Sequence, residues 1–452
     1  MNARRILIVG GLAAGPSAAA KAVRVNPAAE VTMFESGETI SYGLCESPYA
    51  ISGTIPDETR LVAYTPDRLR EEKGVDVKTL HVVESIQPSA KKITVRNLRR
   101  RTQEEFRFDR LIIATGSVPR RLGLDGESSR NVFHLRSRDD TVGMMRFIKS
   151  ESPSKAVIIG GGYVGMEMCE SLRTLGMDVT LIHRRHLPMA GLEQRTRERL
   201  LEELEANGVH FVTNATAEGF VQDKEGRVRN VVSKRGTFDA DIVVLAVGVD
   251  PNAALARTAK IRLGAFKGIV TDERQQTSVE GIYAAGDCCE VMNPVTGQNM
   301  YIPLATNASR QGRVAGENAA GGRAVFKGTI RAIAVKVFGL EVAQVGVSAD
   351  EARRAGFEPI TESITASTRV ALMPGAEKIG LMLIVDRPTH RLLGANVFGG
   401  SGSVLRANTL GVAIQQKLTV DDVARFDLIY APQFSPLWDP ILVAAEQARK
   451  RL

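Results

Sequence analysis

Residues 156–165 read Ala-Val-Ile-Ile-Gly-Gly-Gly-Tyr-Val-Gly and decide the fold. The apolar run is typical of a buried parallel strand, and the glycines after it fill all three positions of the pattern Gly-x-Gly-x-x-Gly. A helix over Glu167–Leu175 and a strand over Asp178–Ile182 are predicted to follow. Because such glycines let a pyrophosphate approach the backbone at a helix N-terminus, the segment predicts a dinucleotide-binding βαβ unit. Its candidate binding residues are Gly160, Gly162 and Gly165.

A second unit of this kind stands near the beginning of the chain. A strand over residues 4–9, a glycine-rich turn over Gly10–Gly15 and a helix over Pro16–Val25 precede a strand that ends at Glu35. Leu12 holds the position of the middle glycine, so this match is less complete. The acid at the strand end is suited to accept a hydrogen bond from a ribose hydroxyl. The candidate binding residues are Gly10, Gly11, Ala14, Gly15 and Glu35.

The two units differ at the tip of their second strand. Where the first has Glu35, the second has the run His183-Arg184-Arg185-His186. Cations at this place fit a 2′-phosphate, which an acid would repel. The second nucleotide is therefore predicted to be NADPH, with NADH less favoured. A surface basic run without a ligand is the alternative interpretation.

Residues 40–49, Ile-Ser-Tyr-Gly-Leu-Cys-Glu-Ser-Pro-Tyr, place Cys45 just after the first unit. A thiol beside a dinucleotide site indicates redox chemistry with a flavin, whereas most free cysteines are buried packing residues. No cysteine has a Cys-x-x-Cys partner or a His at metal spacing, so neither a disulfide framework nor a metal site is predicted. We interpret Cys169, Cys288 and Cys289 as packing residues. A redox role for Cys45 then requires that the partner sulfur come from the substrate.

Composition limits the classes of function. The 452 residues are enough for two to four domains of about 100–200 residues each. The net charge of +8 comes from scattered basic residues without an aromatic-interleaved stripe, so nucleic-acid binding is not predicted. No window resembles a transmembrane span of about 18 apolar residues, and because the chain runs straight into a strand, no signal peptide is expected. We expect a cytoplasmic protein that does not enter the membrane.

Two further strands are predicted to end in tight glycine turns, at Ala114-Thr115-Gly116 and at Gly286-Asp287. Asp287 at the carboxyl end of its strand is suited to hold a polyol hydroxyl. A predicted helix over Pro303–Gly316 would place its positive N-terminal end at Leu304 and Ala305.

From about residue 325 the pattern changes. Four strand-like runs precede a helix over Ser403–Gln416, and no nucleotide motif appears, so this part is predicted to be a separate α+β domain. The four runs are Ala332–Phe338, Ala343–Val347, Lys378–Val385 and Leu392–Phe398. The tail over Phe426–Asp439 is rich in aromatic residues and prolines, and we interpret it as a domain plug or an interface.

The order of these motifs resembles the flavin-dependent pyridine nucleotide–disulfide oxidoreductases over essentially the whole chain. The pattern Ile40-Ser41-x-x-x-Cys45-x-x-Pro48-Tyr49 looks like the single-cysteine branch of that family, which contains coenzyme A–disulfide reductases, persulfide reductases and NADH oxidases. The resemblance implies an α/β protein with two Rossmann-like dinucleotide-binding domains and an α+β C-terminal dimerisation domain. The implied bounds are 1–120 and 250–325 for an FAD domain, 121–249 for an NAD(P)H domain, and 326–452 for the dimerisation domain.

The resemblance also implies roles for individual residues. Tyr163 would gate the nicotinamide pocket, Glu167 would lie near the flavin, and Tyr430 would reach Cys45 of the partner subunit in a homodimer. Cations that match those used for the coenzyme A phosphates are Lys21, Arg24 and Lys73.

The departures from the family pattern bear on the substrate. Ala13 stands where the oxidases and peroxidases carry a histidine, so oxidase and peroxidase activities are less favoured. Leu44 and Glu46 flank Cys45 where coenzyme A–disulfide reductases usually have Asn and a small residue, and Leu372-Met373 replace a pair of tyrosines. An acid beside Cys45 is expected to raise the pKa of its thiol. The sulfur substrate therefore stays open.

The implied activity is that of an FAD-dependent NAD(P)H oxidoreductase that reduces a disulfide, persulfide or polysulfide through Cys45, with Tyr430 donating to the departing sulfur. Two rivals stay open. One is an NAD(P)H oxidase in which Cys45 cycles through a sulfenic acid. The other is a flavin electron-transfer subunit that feeds a partner protein.

Overall fold

Two parallel five-stranded sheets and one antiparallel five-stranded sheet organise the chain in the computed structural model, which describes residues 4–452. In chain order the strands are β1 (Arg5–Val9), β2 (Glu30–Phe34), β3 (Asp76–Lys78), β4 (His81–Gln87), β5 (Lys92–Asn97), β6 (Thr102–Arg107), β7 (Arg110–Ile113), β8 (Ser117–Pro119), β9 (Val132–Phe133), β10 (Lys155–Ile159), β11 (Asp178–Ile182), β12 (Val209–Val212), β13 (Ala217–Gln222), β14 (Val228–Ser233), β15 (Gly236–Asp239), β16 (Ile242–Leu245), β17 (Val249–Pro251), β18 (Ile282–Ala284), β19 (Val291–Asn293), β20 (Gln298–Met300), β21 (Ile333–Val337), β22 (Leu340–Gly346), β23 (Pro359–Ser367), β24 (Lys378–Asp386) and β25 (Leu392–Gly399). The helices are α1 (Ala14–Val25), α2 (Ser47–Ile51), α3 (Pro66–Lys73), α4 (Arg138–Glu151), α5 (Tyr163–Thr174), α6 (Gln194–Ala206), α7 (Ala254–Thr258), α8 (Ala305–Ala319), α9 (Ala349–Arg354), α10 (Ser403–Gln415), α11 (Val420–Val423) and α12 (Pro440–Arg449).

The first sheet has the order β18-β7-β1-β2-β3, with every pair parallel. Its apolar strands are buried on both faces, as parallel sheets usually are. Helices α1 and α8 pack closely on one face because glycines of α8 meet the backbone of α1. A Cβ atom on Gly312 would lie 2.3 Å from the Ala14 carbonyl oxygen, and one on Gly316 would lie 2.1 Å from that of Ala18. This contact joins the glycine-rich turn to the helix that follows Asp287.

The second sheet has the order β12-β11-β10-β16-β9 and repeats the first in its β10–α5–β11 unit. Its strands come from residues 132–245, between strands of the first sheet. An antiparallel meander, β13-β14-β15, packs over one face.

The third sheet has the antiparallel order β21-β22-β25-β24-β23 and packs against α10 and α12. The predicted strands and the predicted helix of this region are confirmed, and β23 and α12 were not predicted. Large apolar side chains of the tail are exposed: Ile429, Tyr430, Phe434, Leu437 and Trp438.

The predicted βαβ units and the α/β fold class with an α+β C-terminal part are confirmed. The bounds 1–120, 250–325, 121–249 and 326–452 stay a proposal. Among residues 4–452, none of the helices combines the length and apolar character that a membrane crossing requires. The same residues hold no group of three or more His, Cys, Asp or Glu side chains placed to bind a metal ion.

Candidate active site

Cys45 lies in a turn that leads into α2, and its side chain is exposed. Two buried hydrogen bonds hold the start of α2 against α4 and against α5 of the second dinucleotide unit. The Thr141 hydroxyl donates to Ser47 Oγ at 2.8 Å, and the Ser171 hydroxyl donates to the Pro48 carbonyl at 2.9 Å. The turn with the thiol is therefore fixed where the two units meet.

The other cysteines have no access to this turn. Cys169, Cys288 and Cys289 are buried, which confirms that they are packing residues. The adjacent pair has its sulfur atoms 3.8 Å apart within the core. Cys45 is thus the exposed thiol among residues 4–452.

The surroundings of Cys45 hold its thiol protonated more strongly than usual. Its pKa is raised first by partial desolvation and then by the carboxylates of Glu46, Glu167 and Asp287, while Arg136 lowers it. Glu46 raises the pKa of the Cys45 thiol, as the sequence predicts.

Arg136, which the sequence did not indicate, lies within electrostatic reach of Cys45. Its Nε donates to the Ser117 carbonyl at 3.0 Å, and its Nη2 lies 3.7 Å from Asp287 Oδ2. Asp287 also accepts from the Ser117 hydroxyl at 3.1 Å, and burial raises its pKa. Only the folded chain brings Arg136 to Asp287, since no motif links the two positions.

The glycines of the first dinucleotide unit stand where a side chain would clash with the backbone. A Cβ on Gly10 would lie 2.1 Å from the Ala114 carbonyl oxygen, and one on Gly15 would lie 1.8 Å from that of Gly10. The Gly11 N–H donates to Glu35 Oε2 at 2.7 Å. The turn is held at the carboxyl end of its sheet, where α/β proteins bind ligands.

Other predicted residues surround that turn. The Ser41 N–H donates to the Gly11 carbonyl at 2.8 Å, and the Thr115 hydroxyl donates to the Asn252 carbonyl at 2.6 Å beside Gly116. The Gly286 N–H donates to Gln311 Oε1 of α8 at 2.8 Å, which ties the Gly286-Asp287 turn to that helix.

Three helices begin at these predicted sites without a side-chain cap. The N-cap residues of α1, α5 and α8 are Ala13, Gly162 and Leu304, and none makes a side-chain cap hydrogen bond among the described residues. By contrast, α4 and α9 begin with complete capping boxes. Uncapped N-terminal amides are donors for an anion or a developing negative charge. The residues present therefore fit FAD on the first unit and α8, and a second dinucleotide on α5.

The second unit repeats the close approach of the first. A Cβ on Gly160 would lie 2.3 Å from the Ala246 carbonyl oxygen, and one on Gly165 would lie 2.0 Å from that of Gly160. A Cβ on Gly162 would meet nothing within 4 Å, so the start of α5 is open. Tyr163 opens this helix, and burial raises the pKa of its phenol.

The residues of the basic run that follows β11 differ in their exposure. His183 is buried, and burial together with nearby arginines lowers its pKa to about 4. The role of His183 toward a 2′-phosphate stays a prediction. Arg184 and Arg185 are exposed, and neither is in an ion pair among residues 4–452.

Glu167 lies one helical turn before Ser171 on α5, on the side that faces the Cys45 turn. Burial, with a smaller effect of Glu170, raises its pKa to about 7. Its carboxyl group therefore changes charge near neutral pH, within electrostatic reach of Cys45.

The predicted substrate cations differ in their availability. Lys21 Nζ lies 2.8 Å from Glu317 Oε2, so its charge is already paired across α1 and α8. Arg24 is exposed at the end of α1, and Lys73 Nζ lies 3.8 Å from Glu72 Oε2 at the end of α3. A cavity of about 370 Å³ opens beside the Cys45 turn, with Gly43, Glu46 and Arg60 in its wall. Tyr430, in the tail, is 48% exposed.

The chain is similar to known proteins over nearly its full length. A protein of Pyrococcus horikoshii named NAD(P)H coenzyme A polysulfide/persulfide reductase is 34% identical over 447 residues, which are 98% of each chain. A protein of Methanocaldococcus jannaschii named NADH oxidase is 30% identical over 450 residues, which are 99% of each chain. The solved structure of an NAD-dependent persulfide reductase from A. fulgidus superposes with a TM-score of 0.95 at 34% identity, covering 99% of this chain and 83% of that one.

The sequence patterns of one family account for both halves of the architecture. The pattern described as pyridine nucleotide-disulphide oxidoreductase matches residues 4–312. The pattern described as the dimerisation domain of the same family matches residues 333–440. Together with the two dinucleotide units, these matches show that the chain belongs to the pyridine nucleotide-disulphide oxidoreductase family, whose enzymes use FAD and a pyridine nucleotide.

Proposed function

We propose that this chain is an FAD-dependent NAD(P)H oxidoreductase that reduces a disulfide, persulfide or polysulfide through Cys45. The observation that carries the proposal is one exposed thiol, held by buried hydrogen bonds where two dinucleotide units meet, with the other cysteines buried. The substrate must then bring the second sulfur. The names of the similar proteins support a sulfur substrate.

The chemistry assigned to Cys45 is thiol–disulfide exchange. Its thiolate attacks one sulfur of the substrate, the S–S bond breaks, and one thiolate leaves. Two electrons and one proton then restore the Cys45 thiolate and release the second thiol. FAD held by the Gly10–Gly15 turn and the N-terminus of α8 would supply these electrons, with NAD(P)H as the hydride donor. Tyr430 of the partner subunit is proposed to donate a proton to the departing sulfur.

The cofactor contacts follow from the two units. For FAD we propose Gly10, Gly11, Ala14, Gly15, Glu35, Ser41, Ala114, Thr115, Gly116, Gly286, Asp287, Leu304 and Ala305. For NAD(P)H we propose Gly160, Gly162, Tyr163, Gly165, Glu167, His183, Arg184 and Arg185. Asp287 is suited to accept from a hydroxyl of the FAD chain, and the N-terminal amides of α8 are suited to stabilise negative charge on its ring.

NADPH is proposed as the preferred donor over NADH. Arg184 and Arg185 are exposed without ion pairs among the described residues, and no acid stands at the strand tip. Guanidinium groups bind a phosphate through paired hydrogen bonds.

A coenzyme A species is the proposed sulfur substrate. Arg24 and Lys73 are candidates for its phosphates, whereas Lys21 would first have to leave Glu317. The cavity beside the Cys45 turn offers room for the thiol arm. A homodimer, with the exposed apolar tail at its interface, completes the site. A cytoplasmic location stays a prediction from the sequence.

Mass spectrometry of the intact, non-reduced protein tests the substrate class. We expect an adduct on Cys45 with the mass of a coenzyme A mixed disulfide, removed by dithiothreitol. An unmodified or persulfidated Cys45 would instead favour a persulfide substrate.

The NAD(P)H oxidase is a second candidate, because a similar protein bears the name NADH oxidase. Cys45→Ser is expected to abolish disulfide-dependent NADPH oxidation, with Cys169→Ser as the matched control. Oxygen consumption that exceeds disulfide turnover would favour the oxidase. No turnover of the purified dimer with any small disulfide or sulfane acceptor would favour an electron-transfer subunit.

A further inference from the structure

A second cavity is lined by residues that the proposed reaction does not use. It has a volume of about 310 Å³ and lies between the end of β3, the start of β4 and the β5–β6 hairpin. The residues in its wall are Lys78, Thr79, His81, Asn97, Arg99, Arg100, Glu104 and Phe106. None of the residues proposed for FAD, for NAD(P)H or for the sulfur substrate is among them.

A hydrogen-bonded network fixes one side of this cavity. His81 Nδ1 lies 2.6 Å from the Thr79 carbonyl oxygen, and His81 Nε2 lies 3.1 Å from Asn97 Nδ2. Because Nδ1 must donate to a carbonyl, Nε2 accepts from the Asn97 amide. Asn97 Oδ1 in turn accepts from the Arg99 and Arg100 N–H groups at 3.0 and 2.9 Å. The turn that carries both arginines is therefore anchored on a buried amide.

The arginine side chains on this turn have no partner of their own. Arg99 and Arg100 are exposed, and their guanidinium groups make neither an ion pair nor a hydrogen bond among residues 4–452. Lys78 adds a third cation to the wall, with its Nζ 3.1 Å from Asp76 Oδ2. Guanidinium groups bind phosphate oxygens through paired hydrogen bonds. This side of the cavity is therefore suited to a phosphate group.

Two other residues of the wall indicate what the phosphate is attached to. Phe106 packs against Phe34 with ring centroids 5.0 Å apart, and it also borders the cavity. Glu104 is exposed there, without an ion pair or a side-chain hydrogen bond in the described part of the chain. A carboxylate repels a bare phosphate but accepts from the amino group of a nucleobase, and an aromatic ring offers a surface on which a base stacks.

We propose that this cavity binds a nucleotide whose base carries an amino group, with its phosphates on Arg99 and Arg100 and its base at Phe106 and Glu104. Small-molecule sites have volumes of about 300–1,000 Å³, so the cavity is of a size for a mononucleotide. The His81 N–H donates to the Glu35 carbonyl at 2.9 Å, so the cavity borders the first dinucleotide unit. The test therefore uses protein with FAD bound.

Calorimetric titration of the FAD-loaded protein with ADP and with inorganic diphosphate measures the site. Arg99→Gln and Arg100→Gln should each weaken ADP binding about tenfold, the usual effect of one hydrogen bond to a charged group. Arg101→Gln is the matched control, because Arg101 is exposed in the same turn but does not border the cavity. It should change the dissociation constant by less than about twofold. Glu104→Ala should weaken the binding of ADP and strengthen the binding of diphosphate.

The place of binding is measured separately, because ADP is also a fragment of NAD(P)H. Photolabelling with an azido derivative of ADP, followed by peptide mass spectrometry, should modify residues 78–106, and the Arg99→Gln/Arg100→Gln double variant should lose this label. FAD content and the thermal midpoint show that each variant is folded.

Three results would overturn the proposal. They are labelling confined to the Gly160–Gly165 turn, an effect of Arg101→Gln as large as that of Arg99→Gln, and equal affinity of wild type for ADP and diphosphate. No sulfur turnover is measured, so a failure of the proposed reductase activity would not alter the outcome.

Discussion

The attachment of the Cys45 turn can be weakened without touching the thiol. Ser171 lies on α5, and its hydroxyl donates to the Pro48 carbonyl at 2.9 Å, three residues after Cys45. Thr141 makes the second buried bond, to Ser47 Oγ at 2.8 Å. We predict that Ser171→Ala and Thr141→Val each loosen the docking of α2, and that the double variant loosens it more.

The expected size follows from the partners that remain. After Ser171→Ala the Pro48 carbonyl still accepts from the Ser52 N–H at 3.0 Å, and the lost hydroxyl proton is shared with the Glu167 carbonyl at 2.9 Å, so the loss is at most one hydrogen bond, about 1 kcal/mol. Thr141→Val also leaves the buried Ser47 hydroxyl without its partner, which costs about 1–3 kcal/mol. The double variant should lose about 2–4 kcal/mol. A change of 1.4 kcal/mol corresponds to a tenfold change in an equilibrium constant. The opening of α2 should therefore be about fivefold more frequent in Ser171→Ala and roughly 30-fold or more in the double variant.

Hydrogen exchange over residues 46–53 measures this opening, and the rate of iodoacetamide labelling of Cys45 gives an independent readout. Ser150→Ala is the matched control, because Ser150 donates to the Phe147 carbonyl within α4 at an exposed site. It should leave both readouts unchanged. The reasoning is refuted if the Ser171→Ala and Ser150→Ala proteins exchange alike over this segment.

Three further predictions concern stability and pH. Burial raises the pKa of Glu167 to about 7, so the folded state holds this proton to higher pH than the unfolded state does. The stability of wild type relative to Glu167→Gln should therefore fall as the pH rises from 4.5 through 7. Thermal midpoints of the two proteins that move in parallel between pH 4 and 8 would contradict this. Gly312→Ala places a Cβ 2.3 Å from a carbonyl oxygen of α1 and should cost about 1–3 kcal/mol and lower FAD retention. Gly143→Ala, which meets nothing within 4 Å in α4, should instead stabilise by roughly 0.5–1 kcal/mol in denaturant titration. Arg406→Met leaves the buried carboxylate of Asp439, which lies 2.9 Å from Arg406 Nε, without its charged partner. The substitution should lower the free energy of unfolding by about 3–5 kcal/mol and weaken the dimer in light scattering. A loss of stability below about 1 kcal/mol would rule out this account.

The sequence by itself determined the two βαβ units and the change of architecture after about residue 325. Glycine patterns and apolar periodicity are local properties, because the turn geometry and the strand spacing restrict which residues fit. The neighbours of Cys45, Leu44 and Glu46, and the basic run after β11 are also local features, so the sequence shows them directly. So was the absence of a cysteine spaced to pair with Cys45.

Only the tertiary structure decided the charge states and the distant partners of the site. Arg136 meets Asp287 from far along the chain, and Lys21 forms an ion pair with Glu317 on another helix. His183 stands in a basic run in the sequence, yet it is buried, burial lowers the pKa of its ring to about 4, and its Nδ1 accepts from the Gly161 N–H. Protonation depends on desolvation and on neighbours in space, and neither quantity is written in the order of residues.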